Sequence, residues 1–227
     1  MSSNPKDREK EIAALESLKY IKDGMKVGLG TGSTAAHMVK GLGRLVANGL
    51  QVVGVPSSDA TETLAIEVGI PLTTLDKAKR LDVTIDGADE FDGNFQLIKG
   101  GGGALLREKI LAYNTDINII IADAAKQVER LGKFKLPVET IQFATTSISK
   151  ILEEMSLSPI LRMKADQPYT TDEGNFILDI DIFDVDDLTT LNTKLISIPG
   201  VVETGLFLDT TSIVIVGQGE TTKTLKK

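Results

Sequence analysis

Three short stretches carry residue types at spacings that could do chemistry. The first is Gly28-Leu29-Gly30-Thr31-Gly32-Ser33-Thr34, which puts glycines directly ahead of a helical pattern. Glycine lets the backbone approach an anion, and Ser33 and Thr34 add hydroxyl donors at a helix N-terminus. No lysine follows the last glycine, as a P-loop needs, and no third glycine stands at the dinucleotide spacing. The stretch reads equally well as a helix cap after a tight turn. The second, Asp86-Gly87-Ala88-Asp89-Glu90, places three carboxylates within five residues. Close like charges push at least one pKa upward, which suits proton transfer near neutral pH. An Asp turn with capping duties and a magnesium site are the alternatives.

The third stretch is the most unusual. Lys99 precedes four consecutive glycines, Gly100 to Gly103, and a helical pattern carrying Glu108 follows. Such a run is conformationally costly, and a folded protein seldom keeps one without a need for close backbone approach. Its N–H groups could form a nest for a developing oxyanion, with Lys99 adding positive charge and Glu108 serving as a base on a rigid element. A flexible linker is the alternative, although such linkers seldom run straight into a helix.

These stretches need a scaffold. Ala14, Leu15, Leu18 and Ile21 share one helical face, which predicts an opening amphipathic helix closed by Asp23-Gly24. A strand over Lys26–Gly30 enters the first glycine turn, and Ala35, Met38, Val39, Leu42, Leu45 and Val46 recur at helical spacing behind it. Strand Leu50–Val55, a helix with Leu64, Ala65 and Val68, and an extended piece at Leu72–Leu75 follow. Leu81–Ile85 and Ile117–Ala122 read as buried strands, with a helix from about Ala104 between them. Strands alternating with helices predict an α/β fold, a Rossmann-like, mostly parallel sheet with helices on both faces.

The rhythm changes after Pro137. Val138–Phe143, Ile160–Met163, Phe176–Asp181 and Val201–Leu208 read as strands, and Ser147–Met155 and Asp187–Ile196 as helices. That β-α-β-β-α-β order predicts an inserted, smaller α+β domain of ferredoxin-like type. The expected division is 1–131 plus 208–227 for the α/β part and 132–207 for the insert. The β-prone run Ser212–Val216 is expected to return to the first sheet.

Ligands of an open parallel sheet bind beyond the carboxyl ends of its strands. Thr31 to Thr34, Ser57 to Thr61, Asp86 to Glu90 and Asp123 to Lys126 each follow a predicted strand. Four polar or acidic turns on one rim are hard to ascribe to loop composition alone. Lys126, taken by itself, reads as a solvated lysine as readily as a phosphate ligand. So do Lys10 and Arg8 near the first helix.

Composition narrows the chemistry. The 227 residues include no cysteine, which excludes disulfides, thiol nucleophiles and thiolate metal sites. The single histidine, His37, excludes a multi-histidine metal site in one chain and reads as a packing or surface residue. A net charge of −7 argues against nucleic acid or an anionic membrane as partner. No apolar run approaches membrane-spanning length, and the charged N-terminus lacks a signal core, so a cytoplasmic address is expected.

Read together, Gly30 to Ala36, Ser57 to Thr61, Asp86 to Glu90, Lys99 to Lys109 and Ala122 to Lys126 resemble the ordered signature of A-type ribose-5-phosphate isomerases. Leu131-Gly132-Lys133-Phe134, Pro137-Val138-Glu139 and Ile198 to Val202 are similar to further landmarks of that family. The likeness spans nearly the whole chain; the tail after Gly217 is the least familiar part. The resemblance implies a cofactor-free, metal-free aldose–ketose isomerase of the non-oxidative pentose phosphate pathway. It interconverts ribose 5-phosphate and ribulose 5-phosphate through an enediolate. It implies Glu108 as the base, Lys99 with the N–H groups of Gly100, Gly101 and Gly102 as enediolate stabilisers, and Asp86 as the group assisting ring opening. It further implies Asp89 as a hydroxyl-positioning group, with Gly87 and Ala88 beside the substrate. Thr31, Gly32, Ser33 and Thr34 would hold the substrate, and Lys126, with Lys10, the phosphate. A homodimer or homotetramer is expected.

Two kinds of rival remain. An amino-sugar-phosphate deaminase or a CoA transferase shares the fold class, but the deaminase wants a catalytic histidine and only His37 is available. A non-catalytic sugar-phosphate sensor would want a DNA-binding module and a basic surface, which this composition lacks.

Overall fold

The computed structural model describes residues 5–227. In chain order the elements are α1 (Pro5–Ser17), β1 (Lys26–Leu29), α2 (Ser33–Ala47), β2 (Val53–Pro56), α3 (Asp59–Glu67), α4 (Leu75–Ala78) and β3 (Leu81–Gly87). The short strands β4 (Glu90–Phe91) and β5 (Leu97–Ile98) lead to α5 (Leu105–Tyr113) and β6 (Thr115–Asp123). Next come β7 (Leu136–Thr140), α6 (Thr145–Glu154), β8 (Ile160–Leu161), β9 (Met163–Lys164), β10 (Gln167–Pro168) and β11 (Phe176–Ile180). The chain closes with α7 (Leu188–Ile196), β12 (Val201–Thr204), β13 (Leu206–Phe207), β14 (Ile213–Gln218) and β15 (Thr221–Lys226).

These elements form two compact units. The first holds the chain up to Ala88, Arg107–Gln127 and Asp209–Lys227; the second holds Asp89–Leu106 and Val128–Leu208. Residues 89–106, grouped with the α/β part on sequence pattern, cluster with the second unit instead.

In the first unit the sheet order is β15-β14-β6-β3-β1-β2, parallel throughout except for β15. Without β15 this is the doubly wound order in which the chain reverses direction at the β1/β3 boundary. Five consecutive residues of β14, Ile213 to Gly217, are buried, as a strand covered on both faces requires. Ala13, Ala14, Met38, Val39 and Leu42 from α1 and α2 pack with Leu29, Ile85, Ile121 and Ile215 of the strands. The run Ser212–Val216 does return to this sheet, beside β6. The edge strand β15 escapes the sequence reading because its Thr-Thr-Lys-Thr-Leu-Lys has no apolar run.

In the second unit the four-stranded antiparallel sheet runs β12-β7-β11-β8, with α6 and α7 as its crossovers. That is the ferredoxin-like arrangement the element order predicts. Leu136, Val138, Leu178 and Ile180 pack with Ile148, Leu152, Leu191 and Leu195 of the two helices.

The structure departs from the sequence reading in several places. Leu72 makes only an isolated bridge to Gly54, and Leu75–Ala78 is helical because Thr74 Oγ1 accepts the Lys77 N–H. The strand expected over Val201–Leu208 breaks at Gly205. Its N–H goes to Pro137 O at 2.7 Å, and Leu206–Phe207 leaves to pair with β5. The strand expected over Ile160–Met163 stops at Leu161, and Met163 opens the β9–β10 hairpin.

Candidate active site

In the first unit, the turns after β1 and β3 meet where the sheet reverses. Gly30 N–H donates to Ile85 O at 3.0 Å, carrying the parallel pairing one residue past β1. Asp86 Oδ1 then accepts the N–H groups of Thr31 (3.0 Å) and Gly87 (2.7 Å). Gly30 has to be glycine for this: a Cβ there would lie 2.2 Å from Asp86 Oδ1 and 2.5 Å from Asp86 Cα. The Thr31 hydroxyl sits in a cluster with the hydroxyls of Ser57 (2.7 Å), Ser58 (2.9 Å) and Thr61 (3.2 Å). Thr61 Oγ1 in turn donates to Gly30 O. The turns after β1 and β2 are thereby locked together, and Thr31 spends its hydroxyl inside the protein.

Gly32, Ser33 and Thr34 start α2, a 15-residue helix whose first-turn N–H groups suit an anion. Lys10 from α1 donates to Ser33 Oγ at 3.0 Å, adding a cation at the same place. Lys126 ends the short 3-10 turn after β6, where Asp123 Oδ1 accepts the Ala125 N–H. Glu9, next to Lys10, accepts N–H groups from Ala124 (3.4 Å) and Gly219 (2.9 Å), tying α1 to the β6 turn and to the β14–β15 hairpin. Glu108 lies in the first turn of α5. His37 faces Asp7 at 3.3 Å and takes no part in these turns.

The second unit carries the remaining predicted residues, Asp89, Lys99 and Gly100 to Gly102. Lys99 N–H donates to Gly205 O, and its ammonium lies 5.5 Å from the centroid of the Phe207 ring. Gly100 and Gly103 have φ of +100° and +81°, and Gly103 N–H closes a turn onto Gly100 O at 2.9 Å. Residues 100–103 are therefore a defined turn, not a linker. Asp89 Oδ2 accepts the Gly101 N–H at 2.7 Å, so that N–H is directed at a carboxylate. Glu90 plays a structural part, because its two oxygens accept the N–H groups of Gly132 (2.8 Å) and Phe134 (2.7 Å). The three carboxylates of Asp86 to Glu90 each serve their own backbone donors. Among the described residues no three His, Asp or Glu are grouped to hold a metal ion.

The ribose 5-phosphate isomerase A (phosphoriboisomerase A) family profile matches residues 53–221. The chain is 51% identical over 225 residues to ribose-5-phosphate isomerase A of Ruegeria pomeroyi, covering 96% of this chain and 86% of that protein. The enzyme of Roseobacter denitrificans is 49% identical at the same coverage. The chain belongs to the ribose-5-phosphate isomerase A family. Solved members superpose closely. A D-ribose-5-phosphate isomerase in complex with phospho-erythronic acid has a TM-score of 0.92 at 44% identity, covering 96% of this chain and 97% of its own. Ribose 5-phosphate isomerase from Plasmodium falciparum reaches 0.94 at 35% identity, with 97% and 99% covered.

Several residues around these family turns are invisible to the sequence reading. Arg162 and Tyr169 bond to the glycine turn from some sixty or more positions away, and Asp179 braces Arg162. Glu9 was hidden among the charges of α1. No periodicity or local motif marks any of them. A lone Arg in a β-prone stretch reads only as surface. No helix among the described residues is long and apolar enough to cross a membrane.

Proposed function

We propose that, in this ribose-5-phosphate isomerase A family member, Glu108 moves the carbon-bound proton and Lys99 with the glycine-turn N–H groups stabilises the enediolate. The enzyme interconverts D-ribose 5-phosphate and D-ribulose 5-phosphate. With the sugar in its open form, Glu108 takes the proton from C2 while negative charge develops on O1. Lys99 and the N–H groups of Gly100 and Gly102 meet that charge. The same carboxyl then returns the proton to C1, and the C2 hydroxyl proton passes to O1, leaving a C1 hydroxyl and a C2 ketone. Asp86 assists ring opening and these oxygen-bound proton transfers, and Asp89 orients hydroxyls while holding Gly101. Ser33, Thr34 and the first turn of α2 take the substrate's polar end, with Lys10 and Lys126 on the phosphate. Thr31 contributes by fixing the turn.

One observation supports this reading most strongly. Asp86, Lys99 and Glu108 are only 4%, 3% and 5% exposed, so two carboxyls and an ammonium are held out of bulk water, where charge–charge interactions with a developing oxyanion are strongest. A glutamate of ordinary acidity is too weak to deprotonate a sugar carbon unaided, so oxyanion stabilisation is the larger contribution. The phospho-erythronic acid held by the solved relative is a four-carbon phosphorylated carboxylic acid. Its planar carboxylate makes it a suitable enediolate mimic for this chain as well.

Proton NMR of the EDTA-treated protein with ribose 5-phosphate in D₂O tests the assignment. The wild-type chain should form ribulose 5-phosphate, and Glu108→Gln should lower kcat by about 10³-fold while keeping its fold. Undiminished turnover in that folded variant would remove Glu108 from the reaction. A cytoplasmic homodimer or homotetramer goes with this reading, and sedimentation velocity separates the two assemblies.

A further inference from the structure

A turn of four glycines closed by one internal bond, Gly103 N–H to Gly100 O, is only weakly held by itself. Each glycine has the widest choice of backbone conformations, so the directions of the N–H groups must be imposed from outside. A trans peptide holds the C=O of one residue and the N–H of the next in one plane, pointing in opposite directions. Whatever grips a carbonyl in this turn therefore aims the following N–H.

Within the second unit, side chains from the strand region after β8 grip these carbonyls. Arg162 Nη1 donates to Gly100 O at 2.7 Å and to Gly101 O at 3.3 Å. Tyr169 Oη donates to Gly102 O at 3.0 Å. Three successive carbonyls are thus held, two of them by one guanidinium. The grip is itself braced. Arg162 Nε and Nη2 fork onto the two oxygens of Asp179 on β11, and the pair is largely shielded from solvent. The Arg162 N–H donates to Ile177 O, and Tyr169 N–H donates to Arg162 O. The guanidinium also lies 6.0 Å from the Tyr169 ring centroid. On the far side of the turn, Asp89 takes the Gly101 N–H. A planar fork that is always charged suits this grip, because one group can meet a carboxylate and two carbonyls in fixed directions.

We infer that Arg162 and Tyr169 are positioning residues for the isomerisation: Arg162, through its hold on Gly101 O, aims the Gly102 N–H at the enediolate oxygen, and Tyr169, through Gly102 O, fixes the peptide on the other side of Gly102. This rests on the reading of Lys99 and the glycine turn as the enediolate-stabilising group. Arg162 polarises the Gly101–Gly102 peptide through its carbonyl, while Asp179 balances its charge. Neither side chain needs to touch the sugar. Losing the grip should weaken binding of the transition state more than binding of the substrate, because a misplacement of about 1 Å can cost roughly 10²-fold in rate.

The test uses Arg162→Lys, which keeps a charge but loses the fork, and Tyr169→Phe, which loses only the hydroxyl. For each we would measure kcat, KM for ribose 5-phosphate, the inhibition constant of phospho-erythronic acid, and Tm. Arg162→Lys should lower kcat by about 10²-fold and Tyr169→Phe by about 5-fold, with KM within about 3-fold of wild type. Inhibition by phospho-erythronic acid should weaken in parallel with kcat. A purely structural role would lower Tm and leave the kcat and KM of the folded protein alone, which overturns the inference. So would a raised KM at unchanged kcat, since Arg162 would then bind substrate directly. If Arg162→Lys does not fold, Tyr169→Phe decides alone, and an unchanged kcat there is fatal to the idea. Lys99→Ala run alongside separates the two levels. If it keeps wild-type kcat, the underlying reading fails; if it is inactive while both clamp variants are normal, only the clamp fails.

Discussion

Each unit contains a glycine turn with its backbone held by a carboxylate, but the two are held by different means. In the first unit, Asp86 and Thr31 stand at the ends of neighbouring parallel strands, so strand pairing brings the Thr31 N–H to 3.0 Å from Asp86 Oδ1, and the hydroxyls of the adjoining β2 turn lock it there. In the second unit no sheet register delivers the grip. Arg162 and Tyr169 reach Gly100 to Gly102 from a hairpin region some sixty residues away in sequence. A turn built on a strand end is positioned by the core of its sheet. A turn outside the regular strands needs dedicated side chains.

Substitution of one glycine in each turn can break that contrast. Gly30→Ala should be the most damaging. Its Cβ would lie 2.5 Å from the Asp86 backbone, which cannot swing aside, so the first unit should lose roughly 1–3 kcal/mol as well as activity. Gly101→Ala meets mainly the Asp89 carboxylate, with Oδ1 at 2.5 Å, which can rotate away. It should therefore cost activity, through the lost Gly101–Asp89 bond, while Tm stays close to wild type. Thermal melts paired with turnover separate these outcomes, and equal Tm losses in both variants would erase the distinction between the two turns.

The next effect is smaller and depends on pH. Glu139 on β7 is buried, and that burial raises its pKa despite bonds from Asn175 and Thr171. A carboxyl raised in the folded state contributes stability below its unfolded pKa and loses it as pH rises through the folded value. Glu139→Gln keeps an acceptor for both donors and removes the buried charge. It should melt higher than wild type at pH 8, with the gain shrinking toward pH 4. A gain that grows toward acid would reverse the assignment.

The smallest effect concerns a helix cap in the second unit. Asp187 Oδ1 accepts the Thr190 N–H at 2.9 Å, and its hydrogen bonds from Thr190 hold its carboxyl below the usual range. Such a depressed group stabilises above its unfolded pKa and ceases to as pH falls through the folded value. Asp187→Ala should lower Tm slightly at pH 7 and by less under acid, with turnover unaffected.

The contrast between the two turns also marks how far the sequence could be read. Apolar runs and their periods placed β1, β3, β6 and β14 and most helices, because burial on both faces of a parallel strand leaves an unbroken apolar signature. The polar turns behind those strands were legible for the same reason: strand ends in this fold class share one rim. β4, β5 and β13 were not, since two-residue strands carry no period. Nor was the break at Gly205, which is decided by a backbone bond to Pro137.

By itself the sequence determined the α/β and ferredoxin-like element orders and the absence of thiol chemistry, and it marked Asp86, Asp89, Glu90, Lys99 and Glu108 as candidates. Each of those follows from local composition or from strands and helices that are consecutive along the chain. Only the tertiary structure decided that Thr31 spends its hydroxyl on Ser57, Ser58 and Thr61, that Glu90 braces Gly132 and Phe134, and that Arg162 and Tyr169 grip the glycine turn. Hydrogen bonds between residues tens of positions apart leave no period in the sequence, because their geometry exists only once both units have folded around their own cores.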